Sequence, residues 1–212
     1  MPGNAITELM GVSVENAAVK ITGSKLQEQG PLLITHWGMS GPAILKLSAW
    51  GARELAIKEY AFEIQVNWIP AYNEHTLREE WPHLVGRYAA QKINNKNPFA
   101  LPNRLWAYLL TVSEIQAHWN WADVTAKARN QLIKNLSAQV FPVKGKTTFK
   151  EEFVTCGGIK LNEVDANTME SKLLPGLFFA GEIMDIDGVT GGFNFQNAWT
   201  SGWIAAKSIA TK

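Results

Sequence analysis

The chain has 212 residues with 20 basic and 19 acidic side chains, a net charge of +1 that favours neither a nucleic-acid partner nor an anionic membrane surface. Its hydrophobic fraction of 46% is sufficient for a folded core and excludes a disordered chain. The single cysteine excludes an intrachain disulfide, and no apolar segment reaches the roughly 18 residues that would span a bilayer. These features predict a cytoplasmic protein with one large or two small domains and no membrane partner.

Strand patterns dominate the first third of the chain. Residues 10–21 are rich in valine and alternate weakly, which predicts one or two short strands, and the apolar run 32–35 predicts another. Residues 60–69 alternate between apolar and polar side chains, which is typical of a strand with one exposed face. We therefore expect a β-rich region.

A loop with helix-start signals follows the second of these strands. Ser40 is placed to cap a helix over residues 41–50, Pro42 suits its first turn, and Gly51 is placed to end it. His36 lies at the start of this loop and is our candidate catalytic residue, because a histidine titrates near neutral pH and can move a proton. The alternative is a structural histidine at the end of a strand.

The pattern changes to helical spacing in the middle of the chain. Predicted helices cover residues 76–93, 105–110, 113–119 and 122–140, and Pro82 should kink the first of them or mark its true start. Together they predict a helical subdomain over about residues 73–140. Its three histidines lack the spacing of metal ligands, and we assign no metal site to them.

The region after the helices predicts further strands. Residues 139–146 are predicted to form a strand, and residues 148–155 and 158–161 have the composition of two more strands. Cys156 lies between them beside two glycines, and no basic residue is near it in the sequence. We therefore interpret it as a small buried residue rather than a redox thiol.

The segment from residue 176 to 203 has the composition of a ligand site. The apolar run 177–180, closed by glycines, predicts a buried strand of a parallel sheet. Acidic residues and glycines follow it: Gly181, Glu182, Asp185, Asp187, Gly188, Gly191 and Gly192. A helix then begins, with an apolar face predicted to lie on a sheet: Phe195, Ala198, Trp199, Gly202, Ala206 and Ile209. Open α/β sheets bind ligands where strands end and helices begin, and glycines allow close approach of a flat or anionic group.

The sequence GLFFAGEIMDIDGVTGGFNFQNAW resembles the C-terminal flavin-binding segment of the aminoacetone-oxidase-like or BaiN-like family of NAD(P)/FAD-dependent flavoproteins. Two more stretches resemble that family, GPLLITHWGMSGPAILKLSAWGA and FKEEFVTCGGIKLNEVDANTMESKLLPGLFFAGE. The family pattern begins with a GxGxxG loop for the FAD pyrophosphate, and this sequence contains none. The resemblance therefore implies the C-terminal portion of such a flavoprotein, a fragment or truncated product that is inactive alone.

The resemblance implies FAD as cofactor and a small-molecule substrate, with NAD(P)H as a further partner. The cofactor-binding residues that it implies are Gly181, Glu182, Asp187, Gly188, Gly191, Gly192, Phe193 and Asn194. It implies a mixed α/β (α+β) fold in which residues 1–146 form a β-rich, substrate-side insertion domain with a helical subdomain. Residues 147–212 would be the C-terminal part of a Rossmann-like FAD-binding domain.

Three alternatives stay open at this point. The chain could be a non-catalytic binding or interaction module that has lost flavin, a reading supported by the absent phosphate loop. Hydrolytic catalysis is a weaker reading, because no GxSxG elbow occurs. The acids Glu182, Asp185 and Asp187 could hold a divalent metal, but they lack the alternate spacing of a calcium loop. A sheet without its other half would expose an edge, so self-association is a further expectation.

Overall fold

The computed structural model describes residues 3–145, 154–189 and 191–211. Contacts divide the chain into two units, of which the first consists of Met1–Leu47 and Lys58–Gly145 and the second of Ser48–Ile57 and Lys146–Lys212. The described residues form a five-stranded antiparallel sheet and five α-helices, so the predicted mixed α/β class is confirmed. The predicted domain boundary after residue 146 falls outside the described residues and stays a prediction.

The first unit is built on the sheet, whose strand order is β3-β2-β1-β4-β5 with every pair antiparallel. The strands are β1 Ser13–Ile21, β2 Gln27–Thr35, β3 Gly38–Ser40, β4 Ala61–Asn67 and β5 Gln139–Lys144. Strand β4 confirms the predicted alternation, since Ile64 and Val66 are buried while Glu63 is exposed. Apolar side chains on one face of the strands thus supply one side of the core.

Three helices of the first unit pack together around aromatic side chains. They are α2 Glu74–Tyr88, α3 Asn103–Val112 and α4 Ala126–Ala138. The ring of Trp121 lies 5.2 Å from that of Trp81 and 6.3 Å from that of Trp106, measured between centroids, and all three are buried. This helical subdomain agrees with the change of period in the sequence.

Within the helical region one predicted helix is wrong, and one of the two alternatives for Pro82 is excluded. Residues 113–119 form turns instead of a helix: α3 ends at Val112, and Glu114 has a φ of 59°, a left-handed conformation that cannot continue a right-handed helix. Pro82 does not mark the start of its helix, because α2 begins eight residues earlier and Asn73 forms a capping box with Thr76.

Helix α1, Pro42–Ile57, corrects another predicted boundary. It begins at Pro42 as expected, but it passes through Gly51, where the sequence predicted its end. Gly51 is buried, and a glycine inside a helix costs only about 1 kcal/mol relative to alanine. Packing of the helix therefore outweighs the local signal to stop.

The described residues of the second unit form little regular structure apart from the end of α1 and helix α5, Gly192–Ala210. The predicted strands 177–180 and 158–161 are wrong: Phe178 forms a single bridge to Glu170, and Ile159 a single bridge to Met184. A parallel strand needs a continuous partner, which the described residues do not supply on either side. The predicted strand 148–155 lies almost entirely outside the described residues.

Helix α5 packs with a face other than the predicted one. Its buried residues are Ser201 and Ala205, which lie against a small cluster that includes Met184. The predicted apolar face is exposed instead, with Phe195 67% and Trp199 70% accessible to solvent. Periodicity gives the apolar side of a helix, but the surface that would cover it is not among the described residues.

Candidate functional site

The first turn of α5 follows two glycines that leave space in front of it. Gly191 precedes the helix with a φ of 142°, and no side chain of a described residue caps the helix start. A Cβ added at Gly191 or Gly192 would meet no described atom within 4 Å. Phe193 is 71% exposed, so the backbone N–H groups of this turn lie at an open surface.

Asn194 and Gly188 fix the end of the site loop, residues 181–189, against this turn. The backbone N–H of Gly188 donates to Oδ1 of Asn194 at 2.8 Å, and Nδ2 of Asn194 donates to the carbonyl oxygen of Gly188 at 3.1 Å. A Cβ on Gly188 would lie 3.1 Å from that Oδ1 and 3.3 Å from Cβ of Phe193. Asn194 thus positions the loop, because both polar atoms of its side chain bind backbone.

The start of the site loop is held by a residue that the sequence reasoning missed. Gly181, with a φ of 79°, donates its N–H to Oγ of Ser201 at 2.9 Å. Ser201 is 2% exposed and donates in turn to the carbonyl oxygen of Asn197 at 2.6 Å. The only sequence signal for this role of Ser201 is that a serine stands among the apolar residues of α5.

The three acids of the site loop have different surroundings. Glu182 is exposed, and its Oε1 accepts from the N–H of Thr155 at 3.5 Å. Asp185 forms an ion pair with the guanidinium group of Arg53, which lies on the part of α1 that belongs to the same unit. Asp187 raises the pKa of the neighbouring Cys156 thiol. Glu182 is therefore the acid best able to accept from a ligand.

Cys156 and Arg53 complete this cluster. A hydrogen bond to Asp187 raises the pKa of the Cys156 thiol above its ordinary value, although the guanidinium group of Arg53 acts in the opposite direction. Hydrogen bonds to Cys156 and Asp185 raise the pKa of Arg53, which stays cationic. Cys156 is half-buried rather than buried as predicted, and Arg53 is too distant in sequence for any motif to place it here.

His36 belongs to the first unit, whereas residues 181–194 belong to the second. It lies exposed in the turn between β2 and β3, with its ring edge-on to that of Trp37 and 4.1 Å between centroids. In the described residues, no three His, Cys, Asp or Glu side chains are grouped so that they could hold a metal ion. No helix in that part of the chain is long and apolar enough to cross a bilayer.

The sequence matches a family described as "HI0933-like protein barrel and H2TH domain" over residues 2–154. It is also similar to the ribosomal RNA dihydrouridine synthase of Escherichia coli (strain K12), with 32% identity over 95% of this chain and 47% of that protein. The protein of that name from Haemophilus influenzae is 29% identical over 97% of this chain and 48% of its own length.

A third relative has a different name. The 3-dehydro-bile acid delta(4,6)-reductase of Clostridium scindens is 23% identical over 95% of this chain and 50% of that protein. The chain therefore spans about half the length of the curated relatives it matches. The family match agrees with the resemblance of the sequence to flavoproteins at the level of a flavoprotein-related family, and one relative is a reductase by name.

Proposed function

Because the chain belongs to the flavoprotein-related HI0933-like family, we propose that it forms part of an FAD-dependent oxidoreductase. It would contribute the flavin-ring side of the cofactor site and the substrate-side domain. The observation that carries this proposal is the open first turn of α5, which no side chain among the described residues caps and which begins at Gly191 and Gly192. Such a turn accepts an electron-rich group that approaches the backbone closely.

The residues present fit one side of a flavin. Backbone N–H groups at Gly192 and Phe193 would donate to the electron-rich edge of the ring, worth about 0.5–2 kcal/mol. The carboxylate of Glu182 would accept from ribityl hydroxyls, since it is exposed and weakly bonded. Asp187 and Asn194 would act by holding the loop, because their side chains already bind Cys156 and Gly188. When bound, FAD supplies hydride transfer.

The names of the relatives indicate one class of reaction. Formation of dihydrouridine and reduction at the delta(4,6) positions of a 3-dehydro-bile acid both saturate a C=C bond conjugated to a carbonyl group. We propose the same class for the whole protein, with NAD(P)H as hydride source and a cytoplasmic location. Reduction also requires a proton, which His36 would supply as the candidate catalytic residue; its exposure is compatible with exchange of that proton with water.

Two substrate classes compete. A small-molecule enone is consistent with the balanced charge of the chain, which argues against a nucleic-acid partner. A uridine in RNA is favoured by the two relatives of higher identity, which are ribosomal RNA dihydrouridine synthases by name. We propose the uridine as the first candidate to test. A non-catalytic module that has lost flavin is the alternative to both.

Flavin binding tests the cofactor proposal through paired substitutions at Gly192. The purified chain, G192A and G192D are each mixed with excess FAD, desalted and examined by visible absorption. The alanine fits the open space, whereas an aspartate suits a helix start but repels an electron-rich ring. We expect flavin bands with the unmodified chain and G192A and none with G192D. Equal retention by both variants would contradict the proposed site, and the absence of bands in every sample would favour the module for this chain.

The reaction is tested on the whole protein, with FAD and NADPH present and oxygen excluded. Ribosomal RNA and a steroid carrying a 3-keto-4,6-diene are offered in parallel, and the gain of two hydrogens per reduced bond is followed by mass spectrometry. We expect reduction of uridine in the RNA and lower turnover by H36N. Reduction of the steroid alone would support the small-molecule class, and unchanged turnover of H36N would remove the role assigned to His36.

A further inference from the structure

A cavity of about 720 Å³ opens in the first unit, and none of its lining residues belongs to the proposed flavin site. Its walls come from the first half of β1, the segment after β4 and the loop before α3. Buried Trp68 and Leu101 lie on its inner side, and the half-buried rings of Tyr72 and Phe99 line it. The two half-buried rings meet edge to face, with 6.1 Å between their centroids.

An asparagine holds each of the two aromatic loops. Asn67 accepts from the N–H of Ile69 at 2.9 Å and donates to the carbonyl oxygen of Tyr72 at 2.8 Å. Asn97 accepts from the N–H of Phe99 at 3.1 Å and donates to the carbonyl oxygen of Leu101 at 2.6 Å. The backbone that carries both rings is therefore held in place before any ligand enters, which lowers the entropic cost of binding.

The wall formed by β1 carries polar side chains because the strand is irregular there. The register of β1 against β2 shifts between Val14 and Ala17, and the intervening Glu15 and Asn16 are both exposed and line the cavity. Oδ1 of Asn16 accepts from Nε2 of Gln29 at 2.8 Å. Among the described residues, neither Nδ2 of Asn16 nor the carboxylate of Glu15 has a partner.

The chemistry of the lining restricts what can bind. Half-buried aromatic rings suit a flat ring, which they contact by stacking. Among the described residues that line the cavity, Glu15 is the only formally charged one, and none is a lysine, arginine or histidine. A phosphate is therefore disfavoured inside, whereas a neutral ring with N–H donors along one edge can bind the carboxylate.

We propose that this cavity is a nucleobase-binding site in which the ring of Phe99 stacks on a flat face of the base and Glu15 accepts from its donor edge, while Tyr72 lines the site beside Phe99. The base of best fit is guanine, because its adjacent N1–H and N2–H donors bind both oxygens of one carboxylate. The sugar and phosphate lie at the open mouth. The choice of a nucleobase rests on the proposed action on RNA, and the source is either an unpaired base of that RNA or a free nucleotide.

The test measures binding by the purified chain without FAD, so it does not depend on the flavin experiment. Guanosine, cytidine, uridine and adenosine monophosphates and NADPH are titrated by calorimetry. A short fluorescein-labelled oligoribonucleotide containing one guanine is titrated by fluorescence anisotropy. We expect saturable binding with guanosine monophosphate preferred among the mononucleotides. Tighter binding of the oligoribonucleotide identifies RNA as the source, and tighter binding of a mononucleotide or NADPH identifies a free nucleotide.

Three substitutions test the assigned contacts. E15Q removes the charged acceptor, and we expect it to lower the affinity for guanosine monophosphate about tenfold. F99L keeps apolar volume but removes the stacking ring, and we expect a loss of about tenfold for every base. E63Q is the matched control, since Glu63 is an exposed acid on β4 outside the cavity, and its affinity should equal that of the unmodified chain.

Thermal unfolding of each variant shows whether a loss of affinity comes from a lost contact or from a misfolded protein. Y72F is a second control: it keeps the aromatic ring and should bind with the affinity of the unmodified chain. Absence of saturable binding by every base up to millimolar concentration would overturn the proposal. So would equal affinities of E15Q, F99L and E63Q in folded proteins. If a base binds but no RNA is reduced, the nucleobase site is supported and the proposed reaction is refuted.

Discussion

Replacement of Trp199 by alanine measures whether the aromatic face of α5 is open in the folded chain. A fully buried aromatic side chain removes roughly 150–250 Å² from water, which at roughly 25 cal/mol/Å² is about 4–6 kcal/mol. Trp199 is 70% exposed, so about a third of that amount is realised. We therefore expect W199A to lower the free energy of unfolding by only about 1–2 kcal/mol.

Met184 provides a matched control within the same unit. It is 3% exposed and belongs to the cluster that α5 covers, so M184A should lower the free energy of unfolding by about 2–5 kcal/mol. Urea unfolding followed by far-UV circular dichroism compares the two variants, and sedimentation equilibrium measures their association. A loss for W199A as large as that for M184A would refute the reasoning, because it would mean that the face is covered in solution.

Four further predictions follow from the structure. Exposed Phe195 and Trp199 should promote self-association, so the double variant F195Q/W199Q should sediment as a smaller species. S113A should cost about 1–3 kcal/mol in urea unfolding, because buried Asn135 donates to that hydroxyl at 2.9 Å. D187N should lower the pKa of Cys156, so that thiol alkylation proceeds faster at mildly alkaline pH than in the unmodified chain. G158A should destabilise the second unit, since a Cβ there would clash with the backbone carbonyl oxygen of Ile183, and proteolysis of residues 154–189 should accelerate.

Each of these results has a contrary outcome. An unchanged sedimentation coefficient would show that the α5 face does not mediate association. An unaltered urea midpoint for S113A would mean that water reaches Asn135. Slower alkylation of D187N would contradict the assigned effect of Asp187 on the pKa of the thiol. An unchanged rate of proteolysis of G158A would mean that the loop opposite Gly158 can move to accept the Cβ without loss of stability.

The candidate site was predictable only in part. The start of α5 at Gly192 and the acids and glycines before it could be read from the sequence, because helix starts and glycine loops leave local signals. The contacts of Arg53 with Asp185 and of Ser201 with Gly181 could not, because each joins segments that no motif links. The cavity beside β1 was missed for the same reason, since its walls come from three separate parts of the chain.

The amino-acid sequence by itself determined the period of β4, the amphipathic helices of the first unit and the glycine-rich approach to α5, since these depend on neighbours a few residues apart. Only the tertiary structure decided that α1 continues through Gly51, that residues 177–180 form no strand, and that α5 packs through Ser201 and Ala205. The physical reason is that a helix end, a strand and a buried face each require a partner surface. Local pattern cannot say whether the folded chain provides it.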